Sequence, residues 1–291
     1  MSKYRIKFFS SFCDSDNCKN VFERLCQTDL MDNYGEDKEI YITVDDNYTH
    51  AVIMNTDMPN LSIPKQNVIG MAFEPPLFLF NSHFLHFIEY AKKYIGKYCI
   101  GSTKLSSSLP EPFIEKYSYM WHITPPRTIP IKNKTMSMMV SHKNEAPGHK
   151  YRHVLVQAIL NTNLDIDIYG NGCRYYNNLC DKRIRGDFKD DEPYENYDFH
   201  ICIENFQTEC YTSEKYTNAI LWGTTPIYWG AAKIEETFQN ITIPLSGNIQ
   251  TDMKLLKSII ENPSEYKKVI DQSVVRPKMN ILKNLDELFS M

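Results

Sequence analysis

Apolar residues in this chain of 291 fall into short runs separated by polar stretches of helical length. Runs at Ile6–Phe9, Ala51–Met54 and Val68–Ala72 combine β-branched or aromatic residues with polar flanks, the pattern of strands buried on both faces. Between them, residues 21–30 have the spacing of an amphipathic helix. Residues 84–95 predict a second helix, followed by a short strand at Tyr98–Ile100. From Trp121 to Lys134 the chain turns proline-rich and basic, with Pro125, Pro126 and Pro130, which reads as a linker. Beyond it the alternation becomes regular: strand 136–141, helix 149–161, strands 164–169 and 199–204, helix 213–222, strand 225–229. Such alternation predicts an α/β protein whose parallel sheets carry helices on both faces. Residues 255–260 and 264–288 again have helical spacing. The expected division is 1–130, 131–265, and a C-terminal helix over 266–291 that packs back on the first domain.

Bulk properties leave this picture in place and exclude several functions. The chain is longer than one hydrophobic core usually holds, which favours two domains. A net charge of −4 with scattered basic residues gives no electrostatic case for nucleic acid or an anionic membrane as the main partner. No apolar run reaches membrane-spanning length, and MSKYRIKFFSSF holds no uninterrupted apolar leader, so a soluble, cytoplasmic protein is expected. The eight cysteines form no CxxC pair and the histidines supply no complementary spacing, so no metal site is expected. Reduced thiols are the default.

The densest chemistry lies in Phe199 to Ala231. An apolar strand runs into Glu204-Asn205, a polar loop follows, and a helix opens on Ser213-Glu214-Lys215. The first helical N–H groups are unpaired and the dipole is positive there, so this order suits an anion. Lys215 fits a phosphate and Glu214 the hydroxyls of a ribose. Arg152, in the first turn of a helix after a strand and loop, has a planar fork that matches phosphate oxygens, though by spacing alone a surface arginine fits better. Ile168 to Gly172 ends a strand in two glycines. Gly170 there serves either a close approach to a ligand or a tight turn.

The ordered series Phe199-x-Ile201-x-Ile203-Glu204-Asn205, Tyr211-Thr212-Ser213-Glu214-Lys215, Ala219 and Gly223-x-x-Pro226-Ile227-Tyr228-x-Gly230 resembles the signature of the α-1,3-fucosyltransferases, glycosyltransferase family 10. Val140-Ser141, Arg152 and Asp167-Ile168-Tyr169-Gly170 are similar to the family's upstream block. Phe73-Glu74-Pro75-Pro76 looks like its Glu-x-Pro element. The resemblance spans residues 65 to 245 and is strongest over 199–231. Ser213 stands where the family usually has threonine, which preserves the hydroxyl and its capping capacity.

The resemblance implies a GT-B fold: two Rossmann-like domains facing each other across a cleft, an acceptor-side domain first and a nucleotide-sugar-binding domain second. It implies an inverting enzyme that transfers fucose from GDP-fucose to a hydroxyl of a glycan or glycoconjugate, with no cofactor and no essential metal. Glu74 is implied as the base that takes the acceptor's proton, helped if partial burial among Phe73, Pro75 and Pro76 lifts its pKa. Arg152 and Lys215 would neutralise the departing diphosphate, each such donor lowering the barrier by roughly 2.7–4 kcal/mol. Glu214 would bind the ribose. Ser141, Gly170, Asn205, Tyr211 and Glu204 complete the implied donor site, Glu204 with a possible orienting role instead. A different nucleotide-sugar donor, or a non-catalytic nucleotide-sugar or glycan binder on the same scaffold, is the alternative. Asp165 and Asp167 could be mistaken for a metal-binding pair, but their place in an alternating strand predicts side chains turned to solvent.

Overall fold

The computed structural model describes residues 3–80, 82–104 and 109–290. Two compact units divide the chain: Met1–Pro125 with Thr208–Thr212 and Arg276–Met291, and Pro126–Gln207 with Ser213–Val275. The divisions therefore fall at 125/126 and 275/276, where the sequence suggested 130/131 and 265/266. The pattern gave no hint that five residues after Gln207 belong to the first unit.

In the first unit, strands β1 (Tyr4–Ser10), β2 (Ile40–Ile42), β3 (His50–Met54), β4 (Val68–Met71), β5 (Lys97–Ile100) and β6 (Phe113–Glu115) make one sheet in the order β2-β1-β3-β4-β5-β6. Every pairing is parallel. Alternate residues of β3 show how both faces are buried. Val52 and Met54 pack with Cys18 and Phe22 of the helix Ser15–Asp29 and with Ile281, Leu282, Leu285 and Leu288 near the C-terminus. Ala51 and Ile53 face the other way, onto Phe84, Phe87 and Ala91 of the helix Ser82–Tyr94. Burying each such large side chain is worth about 1.5–3 kcal/mol, so the continuous apolar runs dictate the two-faced sheet. The helix Ser15–Asp29 starts well before residue 21 because Asp14 caps it, accepting from the Asn17 N–H at 2.8 Å.

The second unit holds β7 (Lys134–Met139), β8 (Ile166–Tyr169), β9 (Ile184–Gly186), β10 (Tyr197–Ile203), β11 (Thr225–Trp229) and β12 (Ile243–Pro244). Their order is β12-β11-β10-β7-β8-β9, again with all pairings parallel. Counted within the unit this is the doubly wound order 3-2-1-4-5-6, with the switch of direction between β7 and β10. Phe199, Ile201 and Ile203 of β10 share a core with Leu155, Val156 and Ile159 of the helix Pro147–Leu160 and with Leu256 and Ile259 of the helix Ile249–Glu261. The 264–288 region is not one helix: Pro263–Tyr266 ends, a stretch without regular structure follows, and Gln272–Met279 begins again. Among the described residues no helix is long and apolar enough to cross a membrane.

Candidate active site

At the carboxyl ends of β7, β8 and β10, where the second sheet reverses direction, lies a cavity of about 250 Å³. Open parallel sheets bind ligands at this place because the strand-to-helix loops diverge there. Met139, Val140, Ile201, Ile203 and Phe188 give it apolar walls. Ser141, Arg152, Gly170, Glu214 and Lys215, all singled out in the sequence, line it too.

Gly170 answers one of the alternatives left open. Its φ is +105°, and a Cβ there would sit 2.4 Å from the Val140 carbonyl oxygen. The glycine is required by a turn against the neighbouring strand end, which brings Ser141 and Asn171 to the cavity. Asn171 fixes that loop pair by accepting from the His142 N–H at 2.8 Å.

The helix Glu214–Leu221 is capped by Ser213. The Ser213 N–H and hydroxyl both donate to the fully buried Glu204, at 2.8 and 2.6 Å. The Ser213 oxygen in turn accepts from Lys215 Nζ at 3.1 Å, and Lys215 also pairs with Glu214 at 2.8 Å. Burial raises the Glu204 carboxyl above its ordinary value, against the pull of Lys215 and the Ser213 bonds. Glu214 goes the other way: burial opposes ionisation, but Lys215 outweighs it and holds the carboxyl below the usual range. Lys215 is raised in turn, because Glu214 and Glu204 overcome burial and the repulsion from Arg152. At neutral pH the rim of the cavity is thus an ammonium, a guanidinium and one carboxylate.

Arg152 is buried, and its Nη2 donates to Asn205 Oδ1 at 2.5 Å. The Asn205 carbonyl accepts from the Gly148 N–H at 3.0 Å, in the first turn of the helix Pro147–Leu160. A Cβ on Gly148 would lie 1.7 Å from the Glu204 carbonyl oxygen, so only glycine lets this helix start so close to the end of β10. Glu204 and Asn205 therefore tie two helix starts together, one carrying Arg152 and the other Lys215. Neither is among the residues lining the cavity. The positive field of the site shows in His149, whose imidazole is pushed down to about 4 by burial and by Arg152, Lys143 and Lys215.

Tyr211 is placed elsewhere. It belongs to the first unit, is buried, and donates its hydroxyl to the Phe73 carbonyl at 3.3 Å. Asn55 Oδ1 accepts from the Phe73 N–H at 2.7 Å, and the Ser118 hydroxyl donates to the Ala72 carbonyl at 2.6 Å. The backbone leading into Glu74 is thus held from three directions. Phe73, Pro75 and Pro76 are buried as expected, but Glu74 itself is exposed, so partial burial is not the feature that distinguishes it.

Asp167 corrects another expectation. It is buried, not turned to solvent, because Lys134, Arg185 and Tyr197 all donate to its carboxylate at 2.6–3.1 Å. Asp165 is exposed. Among the described residues no three His, Cys, Asp or Glu side chains are grouped to hold a metal ion. The sequence reading missed Phe188 and His200. The signal for His200 was present: a titratable ring between Phe199 and Ile201 in an otherwise apolar strand.

Residues 129–269 match the model of the family described as glycosyltransferase family 10 (fucosyltransferase) C-term. A fucosyltransferase-like protein of Arabidopsis thaliana is 23% identical over 176 residues, 58% of this chain and 31% of that protein. A protein of Acanthamoeba polyphaga mimivirus named as a fucosyltransferase is 28% identical over 138 residues, 43% of this chain and 22% of its own length. The chain thus spans less than a third of the curated relatives it matches. Among solved structures, Anabaena HepE in complex with UDP-glucose has a TM-score of 0.53 at 10% identity, over 99% of this chain and 96% of that one. That likeness is one of fold, and it makes the architecture, two parallel-sheet α/β units, GT-B type. That family model falls almost wholly on the second unit, which is thus similar to glycosyltransferase family 10.

Proposed function

We propose that the chain is an inverting glycosyltransferase that moves fucose from GDP-fucose to a hydroxyl of a glycan acceptor. The observation that carries this reading is the convergence of Arg152, Lys215 and Glu214 on one cavity at the switch point of a doubly wound sheet. Two cations suit a diphosphate, and a carboxylate held ionised beside them suits the vicinal hydroxyls of a ribose. The apolar walls from Met139, Val140, Ile201 and Phe188 suit the flat face of a base.

In the proposed reaction the acceptor oxygen attacks the anomeric carbon as the bond from that carbon to the diphosphate oxygen breaks. Glu74 takes the acceptor proton, and the electron pair leaves with GDP, whose growing charge is met by Arg152 and Lys215. Stabilising charge where it develops is worth more than uniform binding. The reaction needs no electron carrier, and with two fixed cations at the diphosphate no divalent ion is required. The similarity to the family model over residues 129–269, the range that holds Glu204-Asn205 and Ser213-Glu214-Lys215, supports fucose and guanine as the donor parts.

Turnover of a panel of nucleotide-sugars, with and without a chelator, tests the reading. Hydrolysis-corrected transfer from GDP-fucose, undiminished by the chelator and lost in Glu74→Gln while GDP still binds, is the expected result. Transfer only from another donor would replace fucose. Nucleotide binding with no transfer from any donor would make the chain a binder on this scaffold.

A further inference from the structure

His200 is fully buried in the middle of β10 and forms part of the cavity wall. Its ring is fixed by a chain of hydrogen bonds whose direction can be worked out. The Ser137 hydroxyl lies 2.5 Å from the Pro193 carbonyl oxygen, an acceptor only, so its one hydrogen goes there. The Ser137 oxygen is also 2.8 Å from His200 Nδ1. With the serine hydrogen spent, Nδ1–H must be the donor of that bond. The neutral ring then carries its lone pair on Nε2, at the tip. That nitrogen is buried and has no hydrogen-bond partner among the described residues.

A buried acceptor left unpaired costs about 1–3 kcal/mol, and a phenylalanine in the same volume would avoid that cost. The neighbours Phe199 and Ile201 show that β10 tolerates apolar residues here. Titration does not remove the mismatch, because burial pushes the imidazole down to about 3 and the ring stays neutral at physiological pH. Nothing in the diphosphate or ribose role of Arg152, Lys215 and Glu214 uses this atom. Phosphate oxygens are acceptors themselves and cannot satisfy it.

We infer that His200 reads the nucleobase, its Nε2 accepting a hydrogen bond from a ring or amino N–H on the Watson–Crick edge of guanine. The inference rests on the proposed donor and adds the residue that would select its base. Guanine offers two adjacent N–H donors on that edge, and a single lone pair on a residue of the cavity wall discriminates against bases that present an acceptor at the same point. Ser137 acts as a positioning residue, fixing the tautomer that leaves Nε2 bare.

The test uses GDP and inorganic pyrophosphate as probes, since pyrophosphate carries the charge but no base. His200→Phe should weaken GDP binding about tenfold, the loss of one neutral hydrogen bond, while leaving pyrophosphate affinity within about twofold. In the unaltered protein, the Nε2 resonance of ¹⁵N-labelled histidine should move on adding GDP and stay in place with pyrophosphate. The NMR arm decides the matter even if the phenylalanine variant fails to fold. Unchanged GDP affinity in a folded His200→Phe, or an Nε2 resonance indifferent to GDP, overturns the inference alone. A native protein that binds neither probe overturns the proposed donor site as well.

Discussion

Glu204 holds Ser213 by both of its donors, the backbone N–H at 2.8 Å and the hydroxyl at 2.6 Å. The pair joins the end of β10 to the first turn that presents Lys215, so a buried carboxyl sets where an ammonium points. Its titration has a defined sign. Burial raises Glu204 above its ordinary 4.5, so the folded chain holds this proton more tightly than the unfolded chain. Stability then falls as pH climbs from the ordinary carboxyl range through the raised value, and levels off above it. Glu204→Gln should remove that slope from a series of melts across pH. A slope identical to that of the native protein would show that another group supplies it.

Lys215 bonds within its own helix start, to Glu214 and to the Ser213 oxygen, and lines the cavity. Lys215→Ala should cost GDP roughly 1.5–3 kcal/mol, about ten- to a hundredfold in affinity, because a charged hydrogen bond to phosphate is lost. The dependence of affinity on salt should weaken as well. Calorimetric titration at two ionic strengths measures both, and an unaltered Kd would remove Lys215 from the phosphate site.

Legibility in the sequence followed burial and strand length. All four strands that the pattern failed to show, Ile40–Ile42, Phe113–Glu115, Ile184–Gly186 and Ile243–Pro244, are sheet edges of two or three residues. Edge strands are kept short, and three residues cannot display a period. The interior strands are longer, four to seven residues, and were plain from their apolar runs. At the site, Glu214 and Lys215 were legible as first-turn charges and Gly170 as a strand-end glycine, whereas spacing alone favoured a surface place for Arg152 and only the family resemblance pointed to Ser141 and to Arg152 as a ligand. Glu204, Asn205 and Tyr211 belong to the same signature, yet their side chains meet protein groups: Ser213, Arg152 and the Phe73 carbonyl. A motif records that residues are needed together without separating those that touch a ligand from those that hold the ones that do. Asp167 was misread because its compensating cations are distant in sequence, at 134 and 185.

That buried carboxylate gives an acid-side prediction opposite in sign to Glu204. Burial works against ionisation of Asp167, but bonds from Arg185, Tyr197 and Lys134 prevail and hold it below its ordinary 3.8. A depressed carboxyl contributes stability that is present above the unfolded value and lost as pH falls through the folded one. Asp167→Asn should cost about 1–3 kcal/mol at neutral pH, since it leaves several donors short of an acceptor. The gap between variant and native protein should narrow in acid. Chemical denaturation at pH 7 and pH 3 would show it, and a constant gap would place the effect in packing instead of charge.

Two glycines separate backbone conformation from crowding. Gly148 has ordinary backbone angles, but a Cβ there meets the Glu204 carbonyl oxygen at 1.7 Å, and neither the helix start nor the end of β10 is a flexible side chain that can give way. Gly186 is the reverse case: φ is +77°, and nothing lies within 4 Å of the added atom. Gly186→Ala should therefore cost only the left-handed backbone term, about 1–2 kcal/mol. Gly148→Ala should cost more, at or beyond the roughly 1–3 kcal/mol of an overpacked core, because relief requires the helix Pro147–Leu160 to move away from Glu204 and Asn205. That movement takes Arg152 off its Asn205 partner, so GDP affinity should drop with stability in Gly148→Ala and stay native in Gly186→Ala. Paired melts and titrations check both halves. Equal loss of affinity in the two variants would mean that the Gly148 contact does not govern where Arg152 sits.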